Sequence, residues 1–253
     1  MRSNVVKERV AAGKPAIGII CSVASPLQVE MLGHAGYDFA VVDLQHGETN
    51  LDSVQAMLHA LSSTPAVPIV RTPANVAMYI QRALDLGAYG IIVPQVNTRA
   101  EAEAIVASVR YAPRGNRSWG PIRGATYGGA DYFAAAADTL LTLPMLESAE
   151  AVRNAEEILR VDGVDGCFVG PADLNISLGH SPDDPALATD TEAAVAHIAA
   201  VAQRLGKLAG MHAVSLDDAR LRIAQGYRFV TVMTDLWLLR AAAVPVLAAL
   251  KGG

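Results

Sequence analysis

Short apolar runs alternate along the chain with longer segments whose apolar residues recur at helical spacing. Eight runs have the length and β-branched character of buried strands: residues 16–21, 39–43, 67–71, 90–94, 140–147, 166–170, 208–212 and 229–233. Helical patterns lie between them at 28–32, 51–61, 78–86, 98–109, 149–159, 191–205 and 216–224. A last helix is expected over 236–250, with Pro245 kinking it.

The punctuation agrees with this reading. Gly33, Gly36, Gly87, Gly206 and Gly226 stand where helices should stop. Asn50, Thr98, Ser148, Asp190 and Ser215 stand where a side chain can cap a helix start, and Thr98 with Glu101 has capping-box spacing. Eight strands each followed by a helix is the count of a (β/α)8 TIM barrel, expected as one domain over 1–253. An open doubly wound sheet would put a glycine-rich nucleotide turn after its first strand, but Cys21-Ser-Val-Ala-Ser-Pro26 follows instead. The one long irregular stretch, 111–130, has the length of a lid or binding loop.

Composition narrows the partners. An apolar share of 52% gives ample core, and a net charge of −5 argues against nucleic acid or an anionic membrane as partner. No apolar run approaches the roughly 18–20 residues of a membrane span, and residues 1–15 lack the apolar core of a secretory signal. The expectation is a cytoplasmic enzyme. Cys21 and Cys167 lie in separate apolar runs and read as buried free thiols.

In barrels the catalytic groups come from the C-terminal strand ends. Those ends here carry Asp43, Gln45 and His46, then Arg71, Gln95, Glu147, Asp173, His212 and Asp235. Glu147 and Asp173 follow the adjacent fifth and sixth strands, so their carboxylates could share a hard divalent cation, Mg²⁺ or Mn²⁺ with Co²⁺ as a variant. The competing reading is that each acid caps a helix. Arg71 offers a planar fork to a carboxylate or developing oxyanion, unless it is spent on a salt bridge. His46 could be a general base oriented by Asp43, or a structural histidine. The Gly170-Pro-Ala172-Asp173 turn can aim backbone N–H groups at a substrate carboxylate. Such a set suits a 2-oxo acid whose keto group is polarised by the cation, so that an enolate is stabilised and the next C–C bond forms or breaks. No lysine stands at a strand end to form a Schiff base.

These residues resemble the HpcH/HpaI class II aldolases. The matching segments are Asp43-Leu-Gln-His46-Gly, Val70-Arg71, Leu84-Asp85-Leu-Gly87-Ala, Val93-Pro94-Gln-Val, Val109-Arg-Tyr-Ala-Pro113-Arg-Gly115, Leu146-Glu147 and Val169-Gly-Pro-Ala-Asp173-Leu. The resemblance implies a metal-dependent lyase that cleaves 4-hydroxy-2-oxo acids to pyruvate, or a related 2-oxo acid, and an aldehyde. It implies Glu147 and Asp173 as metal ligands, His46 as base supported by Asp43, and Arg71 at the keto oxygen. It further implies a homohexamer, a trimer of dimers exchanging the last helix, with Asp85 approaching a neighbouring subunit's site. Gly170, Ala172, Gln45 and His212 are the expected substrate contacts. Three positions depart from the pattern: Gln45 replaces a glutamate, Met145 a glutamine, and His212 an apolar lining residue. An acyl-CoA lyase of the citrate or malyl type, and a barrel that binds a 2-oxo acid without turnover, are the alternative readings.

Overall fold

The computed structural model describes residues 1–182 and 186–251. The chain runs α1(Val5–Ala11), β1(Ala16–Cys21), α2(Pro26–His34), β2(Phe39–Asp43), α3(Leu51–Leu61), β3(Val67–Arg71), α4(Ala77–Asp85), β4(Gly90–Val93) and α5(Arg99–Val109). It continues with α6(Ile122–Gly128), α7(Tyr132–Thr139), β5(Leu141–Leu146), α8(Ala149–Arg153), α9(Ala155–Leu159), β6(Gly166–Val169) and α10(Pro171–Ser177). The remaining elements are α11(Thr189–Arg204), β7(Leu208–Ala213), α12(Leu216–Ala224), β8(Phe229–Thr234) and α13(Asp235–Lys251). The strands close in sequence order, β1 through β8, every pair parallel. This is the (β/α)8 barrel that the alternation of patterns predicts.

The core has two compartments because each strand is buried on both faces. Ala40, Val42, Val70, Ile91, Cys167 and Met211 pack outward against the helices. Phe39, Val41, Ile69, Leu143, Phe168 and Phe229 fill the lumen. Phe39 stacks on Phe229 with centroids 3.9 Å apart, and a Cβ on Gly18 would collide with the Phe39 ring. That strand position must therefore stay bare. Below these rings, Val6 of α1 joins the lumen cluster, and Asn4 Nδ2 donates to the carbonyl of Thr139 at 2.9 Å. The N-terminal helix thereby plugs the bottom of the barrel.

Several local expectations hold for the stated reason. Asn50 and Ser53 form a capping box, as do Thr98 and Glu101, and the Ser148 and Ser215 hydroxyls accept from Ala151 and Asp218. Gly36, Gly87, Gly206 and Gly226 all have positive φ. Others are corrected. Gly33 sits inside α2, where a Cβ would collide with Thr64, and Asp190 lies within the first turn of α11 rather than at its cap. The pattern over 149–159 is two helices broken at Asn154, whose side chain donates to the Asn97 carbonyl at 2.8 Å. The expected last helix is α13, and Pro245 lies inside it.

The stretch 111–130 is also not a lid on this chain's cavity. It contains α6 and leads through α7 into the start of β5, at the end of the barrel opposite the strand C-termini. There Arg117, fully buried, donates to Asp85 at 2.7 Å and to the Tyr132 hydroxyl at 3.0 Å. Both cysteines are buried and free, as expected.

Candidate active site

Strand parity explains how the site is assembled. Side chains alternate between lumen and shell, so the polar residue that ends a strand inherits the face of the residue two before it. Phe39 and Val41 face the lumen, hence Asp43 does; Val67 and Ile69 lead to Arg71, and Leu143 and Met145 to Glu147. The same count carries Phe168 to Gly170 and Leu208 to His212. Asp43, His46, Arg71, Gly170, Ala172, Asp173 and His212, among others, line a cavity of about 730 Å³ at the C-terminal mouth; Glu147 is buried and is not among the lining residues.

Asp43 and Arg71 are cross-strand neighbours in register. Arg71 Nε donates to Asp43 Oδ1 at 2.7 Å and Nη2 to Oδ2 at 2.5 Å. The Gln45 backbone N–H adds a third bond to Oδ1 at 3.0 Å. Asp43 is almost wholly buried, so this fork fixes the guanidinium and leaves Nη1 without a partner among the described residues. The expected Asp43–His46 link is corrected here. Both Asp43 oxygens are engaged by Arg71, while His46 lies three residues on in an exposed turn and makes no hydrogen bond among the described residues. Gln45 is half-buried and its side chain does not line the cavity, so what it demonstrably does is hold Asp43 through its backbone. Asp85 is likewise not brought to this cavity, being paired with Arg117 at the far end of the barrel.

Glu147 is the most constrained acid of the set. It is buried, and its Oε1 accepts the Gln95 N–H at 2.7 Å. Its Oε2 has no partner among the described residues. Burial pushes this carboxyl up to about 7; the Gln95 bond pulls it down, Asp173 pushes it further up, and Arg71 opposes. Neither acid is a helix cap. Ser148 caps α8, and Gly170 occupies the cap position of α10, with Asp173 in the first turn. A Cβ added at Gly170 would crowd Glu147 Oε2 and force that carboxyl to shift. A buried carboxylate oxygen with no donor, beside a second carboxylate and a bare glycine, fits a hard divalent cation. Among the described residues no group of three or more His, Cys, Asp or Glu side chains could hold a metal, so waters or substrate must complete any shell.

Gln95 and Asp235, both expected at strand ends, act through bonds that the sequence does not specify, and Ser22, Glu192 and Arg222 are not among the expected site residues. Gln95 acts through its backbone N–H and holds a φ of 54°, a left-handed conformation that a non-glycine residue adopts only at a cost. Asp235 accepts from the N–H groups of Ser22 and Val23, tying the loop after β1 to the end of β8. Farther out, Arg222 is clamped by Glu192 and Asp218 in the cavity wall. Counting parity past the end of β1 finds Ser22; nothing in sequence spacing joins Glu192 to Arg222.

A family model, HpcH/HpaI aldolase/citrate lyase, matches residues 17–242. The chain belongs to the HpcH/HpaI family. A hydroxypyruvate/pyruvate aldolase of Rhizorhabdus wittichii is 42% identical over 97% of this chain and 98% of its own. A 5-keto-4-deoxy-D-glucarate aldolase of Shigella dysenteriae is 38% identical over 94% of this chain and 93% of its own. Among solved structures, an HpcH/HpaI aldolase/citrate lyase family protein of Burkholderia cenocepacia superposes with a TM-score of 0.89 at 34% identity, covering 98% of this chain and 99% of that one. The resemblance carried by the strand-end motifs is thus a family membership that spans nearly the whole barrel.

Proposed function

We propose that this HpcH/HpaI lyase is a divalent-metal-dependent aldolase that reversibly cleaves 4-hydroxy-2-oxo acids to pyruvate, or a related 2-oxo acid, and an aldehyde. The observation that carries the reading is Glu147: a buried carboxyl with one oxygen fixed by Gln95 and the other unpartnered, beside Asp173. Glu147 and Asp173 would hold Mg²⁺ or Mn²⁺, with Co²⁺ as a substitute. Bound there, the cation would supply Lewis-acid polarisation of the keto carbonyl.

The chain's own groups do the rest. Asp43 locks Arg71 in one orientation, and Nη1, which makes no bond to Asp43, would be the donor to the charge that develops on the keto oxygen. Gly170 and Ala172 line the cavity at the start of α10, where first-turn N–H groups lack intrahelical acceptors and suit the substrate carboxylate. His46, exposed at the cavity rim, takes the proton of the 4-hydroxyl as the aldehyde departs and returns one in the reverse direction.

The outer wall favours a small acid over an acyl-CoA thioester. Its one arginine, Arg222, is already neutralised by Glu192 and Asp218, so no basic face awaits a nucleotide phosphate there. Helix α13 is apolar and exposed along most of its length, which supports a homohexamer that exchanges this helix, and a cytoplasmic location is part of the same reading.

Pyruvate release from several 4-hydroxy-2-oxo acids, coupled to NADH oxidation with and without EDTA, tests the proposal. We expect a metal-dependent signal with at least one of them. Silence across the series would overturn the aldolase reading and leave a barrel that binds without turnover.

A further inference from the structure

Of the groups facing the cavity, His212 has a constraint that no step above uses. The parity of β7 sends it into the lumen, and its register partner on β8 is Thr231. Its Nδ1 lies 3.0 Å from the Thr231 hydroxyl, which is itself fully buried. The ring is therefore pinned, and its Nε2 has no partner among the described residues while the residue lines the cavity. The charged groups acting on it are Arg71, Asp43 and Asp218; burial and the Arg71 charge hold the imidazole down to about 4 against the two acids. It is thus neutral at physiological pH.

A pinned neutral imidazole selects by hydrogen bonding rather than by charge. If the Thr231 hydroxyl donates to Nδ1, then Nε2 bears a proton and donates; if it accepts, Nε2 accepts. A hydroxyl can satisfy either case, because it both donates and accepts. A methyl satisfies neither and would leave a buried nitrogen unpaired. A carboxylate is served better by the cationic Arg71 nearby. Resting on the aldolase reading, we propose that His212 is a specificity-determining residue whose Nε2 binds a hydroxyl on the carbon chain beyond the keto carbon. The preferred substrates are then hydroxylated, either in the 2-oxo acid or in the aldehyde.

The two sources are separable in the direction of aldol addition. Hydroxypyruvate is compared with pyruvate at a fixed aldehyde, and glycolaldehyde with the isosteric propanal at fixed pyruvate, in wild type, His212→Leu and His212→Gln. For one of the two pairs, we expect the kcat/KM ratio of hydroxylated to unhydroxylated compound to fall about tenfold in His212→Leu, the scale of one hydrogen bond. The loss should sit mainly in KM, and His212→Gln, which keeps a polar group at the same reach, should recover part of it. Calorimetric titration with hydroxypyruvate and pyruvate in Mg²⁺ buffer reads the donor preference without turnover. A protein that makes no C–C bond but binds hydroxypyruvate preferentially, and loses that preference in His212→Leu, overturns the aldolase reading and keeps the role of His212. Unchanged ratios in His212→Leu, in kinetics and titration alike, overturn the role of His212.

Discussion

Glu147 carries two opposed demands, and they can be measured apart. Its carboxyl is held up to about 7 by burial, above its ordinary 4.5. The metal-free fold therefore binds this proton more tightly than the unfolded chain does, and the stability it contributes is present below pH 4.5 and lost as pH rises through 7. Glu147→Gln removes the buried charge and keeps the shape. In EDTA at pH 8.5 it should raise stability by about 2–3 kcal/mol, and by nearly nothing at pH 4.5, in chemical denaturation. The same variant should lose metal-dependent turnover; a variant as active as wild type would remove Glu147 from the metal site. Arg71→Ala should lower kcat/KM by about 10²–10³, the scale of one oxyanion donor, in the coupled assay. Because it also strands a buried Asp43, its melting temperature must be recorded alongside.

Among the elements, the segment joining α5 to β5 departs most from its sequence reading. Helix α6 carries Gly124 and Gly128, which lower helix propensity, so its sequence resembles a loop. Helix α7 holds four consecutive alanines and was legible by propensity, though not by apolar period. Tyr132 of α7 accepts from Arg117 and helps hold it against Asp85 at the barrel bottom. Asp85→Ala should leave that fully buried guanidinium unpaired and cost about 3–5 kcal/mol in urea denaturation. An effect on turnover without any stability loss would instead favour a role for Asp85 in a neighbouring subunit's site. Gly170→Ala, at the start of α10, places a methyl against Glu147 Oε2 and should weaken metal binding at least tenfold in a calorimetric titration.

At the scale of the whole molecule, α13 is what a lone barrel leaves unexplained. Leu236, Trp237, Leu239, Val244, Val246, Leu247 and Leu250 are all substantially exposed on one helix, and this apolar surface is what the helix-exchange proposal rests on. No helix of the described residues is long and apolar enough to cross a membrane. Light scattering should give an oligomer, and a chain ending before Leu236 should shift to smaller species. A wild-type monomer at micromolar concentration would overturn the helix-exchange proposal.

The strand runs, most helix limits and the barrel count were legible in the sequence, because a parallel strand buried on both faces must be apolar throughout and a polar residue ends it abruptly. The same abruptness marked Asp43, Arg71, Glu147 and His212 as strand-end residues, and period-two counting was enough to send each into the lumen. What pairs with what was decided only by closure of the barrel. The register sets Asp43 beside Arg71 and not His46, Thr231 beside His212, and the Gln95 N–H on Glu147 across 52 residues of chain. Those bonds depend on strand shear and on backbone groups that look alike in every residue, so no pattern of side chains could announce them.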